Sequence, residues 1–167
     1  HAPMGTYVVR LTAGDQTQTQ DFEIRKDPRI SATQEDLQAQ FDILIAMRDK
    51  ISETHDAINR IIRVKKQVDE WVGRAGSDAA KEAVSKAAEE LKGKLSAVED
   101  ELIQYKTIEG LDRISQPARL NAKIREISMV PSTADYAPTK GTQDVFADLS
   151  VRLDVQFHAL QDVIDND

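Results

Sequence analysis

A chain of 167 residues, 40% hydrophobic and 31% charged with 7 Gly and 5 Pro, suits one helix-rich domain and fits an all-β protein poorly. Its formal charge of −7 argues against a general nucleic-acid binder, and the lack of cysteine excludes disulfides, thiolate catalysis and cysteine-based zinc sites together. The longest apolar run, Ile43 to Met47, is far too short to cross a bilayer, so no membrane span is expected. No basic-then-apolar leader opens the chain, and a first residue of His1 rather than Met points to a tag remnant or a processed fragment.

Taken in order, Gly5 to Leu11 alternates, with Tyr7, Val9 and Leu11 on one side and Val8 and Arg10 on the other. That period of two predicts a strand, and Ala13-Gly14-Asp15-Gln16 predicts a turn into a second strand from Thr17 to Arg25. The hairpin forms a first unit, residues 1–26. Asp27-Pro28-Arg29 is the joint, because proline ends the ladder. The remainder, residues 30–167, reads as a four-helix bundle of two long and two shorter helices.

The first helix runs from Thr33 to about Gly73, its stripe made of Leu37, Phe41, Leu44, Ile51, Ile58 and Ile62. Ser31 and Thr33 are both good N-caps, with Gln34 and Asp36 as capping-box partners. After a turn at Gly73 to Gly76, Ser77 or Asp78 caps a second helix. Its seams are Val84, Leu91, Val98 and Tyr105 on one line and Ala88, Leu95 and Leu102 on the other, ending near Gly110. Ile108 to Ser115 is a connector, and Pro117 suits the first turn of a third helix carrying Leu120, Ile124 and Ile127, closed by Pro131. A fourth helix from about Thr142 to Asp165 puts Phe146, Leu149, Leu153, Phe157, Leu160 and Ile164 on one face.

Chemistry is harder to find. There is no His-Glu-x-x-His pair, and neither His55 nor His158 has a Glu three residues before it, which removes the usual di-metal bundle. His55 is expected as a seam histidine. No phosphate-cradling glycine loop and no Gly-x-Ser-x-Gly occur, so no catalytic residue, cofactor or metal is assigned. The densest charge feature is Arg60-Ile61-Ile62-Arg63-Val64-Lys65-Lys66, which can dock an acidic partner or pair with Glu89, Glu90, Glu99, Asp100 and Glu101 of the next helix. With Trp71, otherwise a core plug, Arg60, Arg63, Lys65 and Lys66 form the candidate interaction surface.

Gly5-Thr6-Tyr7-Val8-Val9-Arg10-Leu11 resembles the end of an immunoglobulin- or fibronectin-type sandwich, in which the tyrosine supplies a corner hydrogen bond. Followed by Lys26-Asp27-Pro28-Arg29, Leu37 to Phe41, Pro117 to Lys123 and Ala137-Pro138-Thr139, the order of segments resembles the C-terminal region of bacterial sortilin-like, BNR-repeat β-propeller proteins, a family often grouped with the glycosyl hydrolases. The resemblance implies an extracytoplasmic location and, upstream, the propeller and sandwich domains as partners. It implies structural roles for Pro117, Arg119, Leu120, Asn121, Pro138 and Thr139, with Asn121 and Thr139 tying loops down. The propeller's Asp-box repeats do not occur in this chain. The expected function is thus a non-catalytic accessory or protein-interaction module, with contact to a second protein or a second copy through the hairpin edge. A ligand-sensing extracytoplasmic bundle is the alternative, and a free-standing enzyme ranks last.

Overall fold

A computed structural model describes residues 2–76, 78–105 and 116–166. Two strands, β1 (Gly5–Ala13) and β2 (Gln16–Ile24), precede four helices, α1 (Gln34–Arg74), α2 (Asp78–Leu102), α3 (Leu120–Met129) and α4 (Lys140–Asn166). The chain is mainly helical, a four-helix bundle led by a β-hairpin. Expected features at Ser77 and from Ile108 to Ser115, including the stop near Gly110, lie outside the described residues.

The strands pair antiparallel from Gly5 opposite Ile24 to Ala13 opposite Gln16. Gly14 takes φ of 58° in a two-residue turn, a conformation costing glycine no Cβ clash. The joint is a small closed unit: the Asp27 carboxylate accepts from the Arg29 backbone N–H at 2.9 Å and from its guanidinium at 2.6 Å. Arg29 holds the Asp27 carboxyl below its ordinary pKa. Lys26 Nζ donates to the Ala32 carbonyl at 2.9 Å, and Gln34 Nε2 to that of Met4 at 3.2 Å, tethering the hairpin's foot to the start of α1.

Thr33 caps α1 in a complete capping box, its hydroxyl accepting from the Asp36 N–H while the Asp36 carboxylate accepts from the Thr33 N–H. The deepest line along this helix is Gln40, Met47, Thr54 and Ile61, one residue per seven, joined by Ile58. Two of those positions are polar, and both are satisfied. Gln40 Nε2 donates to the carbonyls of Pro131 and Ala134, the latter at 2.6 Å, and Thr54 Oγ1 donates to the Lys50 carbonyl at 2.7 Å. Ile62, expected in the stripe, is 46% exposed; Ile61 on the side of α2 is buried instead.

Directions follow from bonds between helices. Lys65 meets Glu99 and Lys92 meets Asp69, so α2 runs antiparallel to α1. Lys50 meets Asp154 and Arg60 meets Gln161, so α4 runs parallel to α1. α3 packs on the N-terminal half of α1 and α2 on the C-terminal half, while α2 and α3 barely touch. They therefore stand nearly end to end along one side of α1. This explains why α2 stops at Leu102, short of Tyr105: a longer helix would occupy the place of α3. Tyr105 is 57% exposed and outside the seam, its hydroxyl donating to Glu99 Oε1 at 3.2 Å.

The core lies where all four helices meet: Ile58 and Ile61 from α1, Leu95, Val98 and Leu102 from α2, Leu120 and Ile124 from α3, Leu149, Leu153 and Leu160 from α4. Phe146, Phe157 and Ile164 pack against it, so the whole expected stripe of α4 faces inward. Removing one such leucine or isoleucine to alanine costs about 2–5 kcal/mol. Pro117 precedes α3 instead of opening it, with Arg119 at the N-cap. Thr139 Oγ1 accepts from the Thr142 N–H at 3.2 Å and so caps the start of α4, while Asn121 makes no side-chain bond to another described residue.

Candidate interaction surface

The five residues singled out on α1 do not act together. Lys65 turns inward, its ammonium 2.8 Å from Ser96 Oγ and 2.5 Å from Glu99 Oε2. Of the five acids expected to neutralise the basic run, Glu99 is the one it meets among the described residues. Arg60 donates to Gln161 Oε1 at 2.9 Å, and Arg63 and Lys66 lie exposed. Lys65 is thus part of the α1–α2 contact and Arg60 of the α1–α4 contact, which leaves Arg63 and Lys66 exposed to solvent.

Trp71 is 67% exposed, not a core plug. Among the described residues only α2 lies beside the last turns of α1. Trp71 faces away from α2, and its ring instead receives the Arg74 guanidinium 5.9 Å from its centroid. His55 is likewise exposed, off the buried line of Thr54 and Ile58, and is not a seam residue.

The hairpin offers a second surface. Tyr7, Val9 and Leu11 on β1 share one face with Gln18, Gln20, Phe22 and Ile24 on β2, while Thr6, Val8, Arg10, Thr12, Thr17, Thr19, Asp21 and Glu23 occupy the other. Val9 is 54%, Leu11 67% and Phe22 47% exposed. Only Tyr7 and Phe22 cover each other, their rings stacked with centroids 5.7 Å apart. The Tyr7 hydroxyl donates to the Pro3 carbonyl at 2.6 Å, four residues upstream. No described helix packs on this face, and both outer edges of the hairpin carry unpaired backbone groups.

Two concavities stand among the described residues. One of ≈ 170 Å³ sits at the hairpin's foot beside Ile30, Leu37 and Gln40, and a shallower one of ≈ 450 Å³ lies over Ile127, Val130, Val145 and Leu149 between α3 and α4. Neither brings a nucleophile and a base together. Among the described residues no group of three or more His, Asp or Glu could hold a metal ion, and no helix is long and apolar enough to cross a membrane. Sequence reasoning passed over Val151 and Val155, both exposed. Two valines off the inward stripe of α4 were the available signal.

Comparison with protein-family models, characterised proteins and solved structures finds no match to this chain.

Proposed function

We propose that this chain is a non-catalytic accessory module whose hairpin completes a β-sandwich and whose bundle presents interaction surfaces, as at the C-terminus of an exported, sortilin-like β-propeller protein. The carrying observation is the uncovered apolar cluster of Tyr7, Val9, Leu11 and Phe22 on one face of the hairpin, which Gln18 and Gln20 flank, against an opposite face polar apart from Val8. A two-stranded sheet with a largely apolar side is marginal in water unless that side is buried, and no described helix buries it. The Tyr7–Pro3 bond supports a sandwich, where a tyrosine near a strand start bonds back to the backbone. The ligand-sensing alternative has less support because, of the buried polar residues, Gln40 and Thr54 bond backbone carbonyls and Thr142 bonds Thr139, leaving Arg119 Nε as the unpartnered buried polar atom among the described side chains.

The test compares protease cleavage within residues 5–24 in this chain alone and in the full polypeptide encoded with it. Cleavage in the isolated chain and protection in the full polypeptide is expected. Equal cleavage in both, or no propeller repeats upstream, overturns the reading.

A further inference from the structure

We propose that the sheet is completed along β1: an amphipathic strand from elsewhere in the full polypeptide pairs with the outer edge of β1, an acidic side chain opposite Arg10, and β2 remains the rim. This rests on the accessory-module reading and adds to it the edge and the strand that complete the sheet. The two-residue turn sets which backbone groups are free. Ala13 and Gln16 flank Gly14 and Asp15 directly, so they exchange both ladder bonds, and every second pair down the hairpin does the same, as at Val9–Gln20. The pairs between them turn their N–H and C=O groups outward. On β1 this outer row is Thr6, Val8, Arg10 and Thr12. On β2 it is Thr17, Thr19, Asp21 and Glu23. The hydroxyls of Thr12 and Thr17 lie 3.2 Å apart, which fits this phase, because side chains draw close at pairs without ladder bonds.

The two edges are not alike. The outer row of β2 ends in Asp21 and Glu23, and charges along an edge keep other strands off it. The Asp21 carbonyl, turned outward, already accepts from the Gln20 side chain at 3.2 Å. The apolar face is centred on β1 as well: Tyr7, Val9 and Leu11 run the length of that strand, whereas Gln20 and Gln18 stand opposite Val9 and Leu11 on β2. A strand added to β2 would therefore set two glutamines in the middle of the buried side, and one added to β1 sets the apolar row there. The outer row of β1 holds a single charge, Arg10, and a Val8 that is 62% exposed on the otherwise polar side. A second copy does not supply the partner. Its β1 has no acid to meet Arg10, and its β2, which has two, brings Gln18 and Gln20 back to the middle. The incoming strand is a different one, apolar on the side of Tyr7 and carrying Asp or Glu beside Arg10.

Residue-resolved amide exchange of the full polypeptide and of this chain alone tests the proposal. The amides of Val8, Arg10 and Thr12 should exchange at least about tenfold more slowly in the full polypeptide, and those of Thr19, Asp21 and Glu23 at similar rates in both. Proline at an outward position spares the hairpin's own ladder, so Val8→Pro and Thr19→Pro are matched variants. In the full polypeptide Val8→Pro should open residues 5–24 to protease, and Thr19→Pro should not. With the hairpin protected from protease, slowing on the β2 row, on both rows or on neither overturns this inference and leaves the accessory-module reading standing. Failure of Val8→Pro to release the hairpin does the same. Equal cleavage of the hairpin in both forms overturns the reading and the inference together. Slowing of the β1 row in the isolated chain that fades on dilution gives the edge to a second copy and overturns the proposal.

Discussion

Glu99 grips two side chains at once, Lys65 Nζ at 2.5 Å on Oε2 and Tyr105 Oη at 3.2 Å on Oε1, with only 12% of its own side chain exposed. This ion pair is better buried than any other among the described residues, and it locks α1 to α2 just above the shared core. Removing one charge strands the other, whereas removing both does not. Glu99→Gln should therefore destabilise the bundle by about 2–3 kcal/mol in urea denaturation, while Lys65→Met with Glu99→Leu should stay within about 1 kcal/mol of the unmodified chain.

The same carboxylate enters the alkaline pH dependence. Burial first, then the Glu99 charge and hydrogen bond, push the Tyr105 phenol above its ordinary value of 10.0. At Lys50 burial pulls the ammonium down, but bonds to Asp154 and Glu53 outweigh it and leave the group above its ordinary 10.5. Both groups hold their protons more tightly folded than unfolded. Their contribution is thus complete below the unfolded values and is lost as pH rises through the raised ones. Stability should be level from about pH 7 to 9.5 and fall above about pH 10.5. Glu99→Gln should let the Tyr105 phenolate appear at lower pH, read by its ultraviolet absorbance.

How much of this was legible beforehand varies by element. The inward face of α4 could be read whole, from Phe146 to Ile164, because every position in it is apolar. The deep line of α1 could not. Gln40 and Thr54 are buried there, and a search for apolar periodicity passes over polar residues whose partners, Pro131 and Ala134 in the case of Gln40, lie about ninety residues away. Ile61 and Ile62 both follow Ile58 at helical spacing, and only the position of α2 decides between them. The exposure of Trp71 and the early stop of α2 depend on where α4 and α3 lie, which neither local sequence contains. The hairpin face was readable from alternation alone, and the lack of any further strand pattern downstream already left it without a sheet partner in this sequence.

Gln40 and Thr54 should respond oppositely to loss of polarity. Gln40→Leu leaves the buried Pro131 carbonyl and the Ala134 carbonyl, in the turn after α3, without their donor and should cost about 2–3 kcal/mol. Thr54→Val is nearly isosteric and releases only a bond to the Lys50 carbonyl of its own helix, so it should stay within about 1 kcal/mol of the starting stability. Thermal melts of the two variants at one concentration decide the matter. Equal losses would mean that the Gln40 clamp carries no special weight.

Hydrogen exchange should divide the chain at Asp27. The amides of Leu95, Ile124 and Leu153 sit in the core where all four helices meet and should exchange only through global unfolding. Those of Val9, Leu11 and Phe22 belong to a two-stranded ladder packed on no described helix, held at its foot by the Lys26 and Gln34 bonds. Their opening needs no loss of bundle packing, so their protection should fall short of the core's by several kcal/mol, most clearly near the Gly14 turn. Tyr7→Phe should widen the gap by deleting the bond to Pro3 and should leave Leu95 unaffected. Core-like protection in the hairpin of the isolated chain would mean that its apolar face is already covered, by a second copy if the protection fades on dilution.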